Sequence, residues 1–103
     1  QRFEVSNGIE IELEDEIDLQ EPKKYKVFLL NDDFSTMDFV IDVLVKVFRK
    51  SVDEASVIMI NIHNNGKEIC GTYSYEIAGT KVAQVKAMAR EKGFPLKATM
   101  EEE

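Results

Sequence analysis

Residues 25–48 read YKVFLLNDDFSTMDFVIDVLVKVF, and the change of character at Asn31 decides how they fold. Tyr25–Leu30 is a run of aromatic and branched apolar residues, the composition of a strand. From Met37 onward the apolar residues recur at helical spacing, at Val40, Ile41, Val43, Leu44, Val47 and Phe48, and Asp42 and Lys46 are placed for an i,i+4 pair. The pattern predicts a strand, a turn and a helix over Met37–Phe48. Ser35-Thr36-Met37-Asp38 has the form of a capping box, and an Asx residue suits the turn. A cap and a turn together occupy at most two of the polar side chains in Asn31-Asp32-Asp33-Phe34-Ser35-Thr36. The adjacent amide and carboxylates therefore have two readings, a turn alone or a turn that also binds something.

The rest of the chain follows outward from this unit. Ser51-Val52-Asp53-Glu54 opens a second helix, with Val52, Ala55, Met59 and Ile62 on one stripe and His63 near its end. Asn64-Asn65-Gly66 makes a turn, and Lys67–Tyr75 reads as a strand. A third helix spans about Glu76–Lys92, with Ala78, Val82, Val85, Met88 and Ala89 inward, and Gly93 and Pro95 stop it. Leu96–Met100 completes the series as a short last strand. The order β-α-α-β-α-β predicts an α+β sandwich in which a three-stranded antiparallel sheet packs against three helices.

The chain has 103 residues and is 44% apolar, enough for one small domain with one core. Its net charge of −7 sits at the ends. Residues 1–24 carry a net −5 and Glu101-Glu102-Glu103 a further −3, so Tyr25–Met100 is nearly neutral at +1. The few apolar residues of 1–24 are interleaved with acids and bury too little area to offset ordering entropy. Residues 1–24 are thus predicted to be a mobile acidic arm, with a marginal edge strand around Ile9–Leu13 as the alternative, and residues 25–103 the domain. Lys and Arg are not clustered as nucleic-acid binding requires, and no stretch reaches the ~20 apolar residues of a membrane span. Cys70 lies in an apolar run and reads as a small core residue; the absence of a possible internal disulfide suits a reducing cytosol.

Few residues offer chemistry. His63 is the single histidine, and a helix C-terminus favours it on structural grounds alone. One His and one distant Cys do not make a zinc site, and hard cations need more oxygens than Asn31-Asp32-Asp33 supplies. Neither Ser35 nor Cys70 sits in a nucleophile elbow, and there is no phosphate loop. Met37, Val40, Met59 and Ile62 fall on successive helices; they are either ordinary core or the walls of a groove rimmed by Asn31, Asp32 and His63.

Three stretches carry a resemblance: YKVFLLNDDFSTMDFVIDVL (25–44), MINIHNNGKEICGTYSYEIAGTKV (59–82) and AREKGFPL (89–96). Together they resemble the ClpS adaptors of the bacterial Clp protease, in register from Tyr25 to Leu96. The resemblance implies a cytoplasmic, monomeric, non-enzymatic adaptor without cofactor or metal. Such an adaptor holds N-degron proteins that begin with Phe, Leu, Trp or Tyr and delivers them to the N-terminal domain of the ClpA unfoldase of ClpAP. On this resemblance Asn31 and His63 bind the substrate's α-amino group, with Asp32 beside them near the first peptide N–H. Asp33 supports the loop. Leu29, Ser35, Met37, Val40, Met59, Ile62 and Leu96 line the side-chain pocket, Glu76 and Lys81 contact the unfoldase, and the acidic arm engages it. The family usually has Thr-Pro where this chain has Ser35-Thr36, which frees the backbone at Thr36 and removes a methyl from the pocket wall.

Overall fold

The computed structural model describes residues 22–103, together with the backbone of two short paired strands nearer the N-terminus. These are β1 (Arg2–Glu4) and β2 (Glu10–Glu12), antiparallel with Phe3 opposite Ile11. The strand expected around Ile9–Leu13 therefore pairs within residues 1–24 and not with the main sheet. Of the expected arm, Lys24 already belongs to the main sheet and Lys23 is ion-paired to it, while the rest, apart from these strands and Pro22, lies outside the described residues.

The domain consists of β3 (Lys24–Leu30), α1 (Met37–Lys46), α2 (Val52–Asn65), β4 (Lys67–Ser74), α3 (Tyr75–Lys92) and β5 (Lys97–Glu102). The predicted β-α-α-β-α-β order is present. β3 is central, antiparallel to β4 on one side and β5 on the other. Strand alternation directs Val27 and Leu29 into the core, where both are fully buried. Phe28 points to the opposite face, where the Lys67 ammonium lies 4.6 Å from its ring centroid. Val43 and Leu44 of α1, Ala55 and Ile62 of α2, and Ala78, Val85 and Ala89 of α3 complete the interior. The alanines let α3 approach the sheet closely. Cys70, at an irregularity of the β3–β4 register, packs in this core; burial pushes its thiol pKa up to about 12, so it stays protonated.

Several predicted boundaries move, each for a local reason. Thr36, not Ser35, caps α1, its hydroxyl accepting from the Phe39 N–H at 3.1 Å; the Ser35 hydroxyl is committed to Asp32. Val52 was expected in the buried stripe of α2 but is 62% exposed, because at the first helical position its side chain projects back past the helix end. Ser74 is both the last residue of β4 and the cap of α3, so Tyr75 is helical. β5 runs on to Glu102, held by Lys67–Glu101 (3.0 Å) and Lys23–Glu102 (3.2 Å) ion pairs. Two of the three terminal glutamates thus belong to the sheet.

The capping box of α2 forms as expected, with Ser51 and Glu54 each bonding the other's backbone N–H. The link from α1 turns through Arg49 at φ 59°, the single non-glycine residue with positive φ among the described residues. The Lys50 N–H then reaches the Leu44 carbonyl at 3.1 Å. A side chain in the left-handed region costs about 1–2 kcal/mol, and glycine avoids that cost while adding unfolded-state entropy. Arg49→Gly should raise stability by about 0.5–1 kcal/mol in urea unfolding; an unchanged or lower midpoint would contradict this account of the link.

Candidate functional site

The site is assembled by the end of one strand meeting the end of one helix. The β3–β4 ladder closes at Leu30 opposite Lys67, and the Asn31 N–H extends it by one bond, to the Gly66 carbonyl at 2.8 Å. Gly66 ends α2 in the left-handed conformation at φ 89°, its own N–H returning to the Ile62 carbonyl at 2.9 Å. Only one residue separates α2 from β4, so strand pairing carries the last turn of α2, with Ile62 and His63, alongside Asn31. Sequence distance between Asn31 and His63 is thereby cancelled by the sheet.

Asp32 builds the loop that follows. One carboxylate oxygen accepts the Phe34 N–H at 2.7 Å and the Ser35 N–H at 2.6 Å, and the other accepts the Ser35 hydroxyl at 2.8 Å. Partial burial pushes the Asp32 pKa up, but the Ser35 and Phe34 donors outweigh it and hold the carboxyl below its ordinary 3.8. The loop-supporting role expected of Asp33 belongs to Asp32. Asp33 is exposed, and Phe34 is thrown outward at 74% exposure.

Between α1 and α2 this leaves a cavity of about 410 Å³. Ser35, Met37, Val40, Met59 and Ile62 form its walls, and Asn31, Asp32, Asp33 and His63 its rim. The two methionine-bearing stripes divide between the two expected readings: Val40 and Ile62 belong to the buried core and form the cavity floor, while Met37 is 65% exposed and Met59 only partly buried. Among the described residues, neither the Asn31 amide nor the His63 imidazole is engaged in a hydrogen bond, whereas the Asp32 carboxylate is held by three. Volume and lining are those of a pocket for one apolar group with polar anchors at its mouth.

Two expected wall residues are not in this cavity. Leu29 is fully buried beneath it in the core, facing inward from β3. Leu96 is 4% exposed and lines a different cleft, between α3 and β5. Glu76 and Lys81 lie on α3, away from the pocket. Glu76 is exposed, but the Lys81 ammonium is drawn inward to the Val47 carbonyl at the end of α1, at 2.8 Å, and lies 5.5 Å from the Tyr73 ring centroid. Phe34 was not singled out from sequence; its signal was a lone aromatic within a polar turn. Among the described residues, no three His, Cys, Asp or Glu side chains converge as metal ligands, and no helix is long and apolar enough to cross a membrane.

The lowered Asp32 pKa gives the loop a defined pH dependence. Its hydrogen bonds are fully present above the unfolded-state value of 3.8 and are lost as pH falls through the lower folded value. The amide NMR shifts of Phe34 and Ser35 should therefore titrate with a midpoint below 3.8, and Asp32→Ala should abolish the transition. A midpoint at or above that value would contradict the geometry.

Comparison with known proteins places the chain in a family. The model of a family described as ATP-dependent Clp protease adaptor protein ClpS matches residues 20–99. The ClpS adapter protein of Wolinella succinogenes is 54% identical over 96 residues, covering 93% of this chain and 94% of that protein. That of Helicobacter hepaticus is 51% identical over 82% of this chain and 85% of its own length. Among solved structures, Agrobacterium tumefaciens ClpS2 bound to L-phenylalaninamide superposes with a TM-score of 0.78 at 41% identity, covering 81% of this chain and all of that one. By sequence over most of its length and by fold, the chain belongs to the ClpS family of ATP-dependent Clp protease adaptors.

Proposed function

We propose that this adaptor binds polypeptides by a free N-terminus whose first residue is Phe, Leu, Trp or Tyr, and delivers them to a ClpA-type unfoldase of the ClpAP protease. The observation that carries the reading is the 410 Å³ apolar cavity whose mouth presents the unengaged Asn31 and His63 side chains. A chain start differs from every other backbone position in carrying an ammonium with three donors. Recognising it requires acceptors, which an amide oxygen and a neutral imidazole nitrogen supply, and a nearby fixed negative charge, which Asp32 supplies. L-Phenylalaninamide, present in the Agrobacterium relative, has this chemistry: a free α-amine, a large aromatic side chain and an amide in place of the next peptide bond.

The magnitudes suffice. Burying an aromatic side chain against Met37, Val40, Met59 and Ile62 contributes about 2–3 kcal/mol. Charge-assisted hydrogen bonds add about 1.5–3 kcal/mol each, against the cost of association. Selectivity comes from what a wrong ligand leaves unpaired. An acetylated start offers one neutral donor where three charged ones were expected, and a β-branched first residue fills the cavity badly. Ser35, in place of the family's usual Thr, widens the wall by a methyl.

Delivery uses a different surface. The first turn of α3 exposes Tyr75, Glu76 and Ile77, a mixed apolar and acidic patch suited to a partner domain. Glu76 contacts the unfoldase there, while Lys81 supports the patch from behind through Val47 and adds its charge at the edge. The acidic residues 1–24 are the segment the unfoldase engages.

Fluorescence anisotropy with two peptides beginning Phe and differing only in N-terminal acetylation tests the reading. Acetylation should weaken binding by ~10–100-fold, the worth of one or two charge-assisted bonds. His63→Ala should weaken the free peptide comparably, by removing one acceptor from the rim. Equal affinity for the two peptides would overturn the proposal.

A further inference from the structure

The cavity does not end at its polar rim. Asn31, Asp32 and Asp33 also form one wall of an adjoining cleft of about 320 Å³, closed on its far side by Phe34, Pro95 and Lys97. Pro95 and Lys97 in turn belong to a cleft of about 520 Å³ between the C-terminal half of α3 and the start of β5. Shared walls join the three into one surface path. The Phe39–Phe94 contact (ring centroids 4.9 Å apart) fixes its course, by tying the loop after α3 to the first turn of α1.

The path changes character along its length. It begins at two carboxylates and ends at three cations, Lys97, Arg90 and Lys86, set around an apolar floor that includes Val82, Phe94 and Ala98. All three cations are exposed, and among the described residues none is paired with a carboxylate. Cations spaced along an apolar floor match a chain in which acids alternate with an apolar residue.

Resting on the reading of the N-terminal pocket given above, we propose that the polypeptide continues from the pocket along this path. Lys97, Arg90 and Lys86 then select substrates carrying an acidic–apolar–acidic triplet several residues in from the N-terminus. The occupant is the downstream segment of the bound chain itself, because the path starts at the group that holds its first residue.

A register scan tests this. Fluorescent peptides begin with Phe, are otherwise Gly and Ser, and carry a Glu-Leu-Glu triplet moved stepwise along the chain. At low salt one register beyond the third residue should bind about three- to tenfold tighter than the triplet-free peptide, an advantage that shrinks as salt rises. Lys86→Gln, Arg90→Gln and Lys97→Gln combined should remove the advantage and leave the triplet-free peptide unaffected. If the triplet-free peptide binds but no register improves on it, the cleft has another occupant and this inference is overturned. The same follows if the advantage survives in the triple variant. Failure of the triplet-free peptide itself to bind would instead overturn the pocket reading beneath it.

Discussion

One backbone hydrogen bond, from the Asn31 N–H to the Gly66 carbonyl, sets the geometry of the rim of the α1–α2 cavity. It is the last rung of the β3–β4 ladder, made after both strands have ended. Because Gly66 is also the left-handed stop of α2, the rung joins a strand end directly to a helix end. Two side chains 32 positions apart, Asn31 and His63, come to share one rim as a result. A hydrogen-bonded strand end is rigid, so these two side chains are held on a fixed frame.

Around that rung the chain divides labour among similar residues. Of two adjacent aspartates, Asp32 turns inward to order the loop, and Asp33 faces solvent. Of two adjacent hydroxyls, Ser35 bonds to Asp32 and Thr36 caps α1. The loop is thus tied at both ends without proline. With the loop fixed, a cavity lies between α1 and α2, floored by the buried Val40 and Ile62 and walled by the less buried Met37 and Met59. Membership in the ClpS family gives this pocket its context, an adaptor of the ATP-dependent Clp protease.

The elements were legible in the sequence wherever local signals agreed. The Ser51–Glu54 box, the Gly66 and Gly93 stops and the apolar spacing of α1 all pointed one way, and those elements stand close to where they were expected. Nine residues now around the cavity were also nameable, because the motif around Asn31 resembles a known pattern. Direction within the core was not legible. Leu29 lies beside the site in sequence and Leu96 far from it, and whether either faces the pocket depends on strand twist and loop path. Lys81 shows the same limit, since its charge is spent on a carbonyl contributed by another helix. The cationic cleft was invisible for a related reason: Lys86, Arg90 and Lys97 converge only once α3 turns back into β5.

The central claim is that a free amine and an apolar side chain are captured together between α1 and α2, at the end of β3. The most direct measurement is an amide chemical-shift map of the protein titrated with L-phenylalaninamide and with its N-acetyl analogue. Shifts concentrated at residues 31–37 and 59–63, with the acetylated compound nearly silent, are the predicted result. Shifts centred on residues 82–98, or the same map from both compounds, would contradict the account.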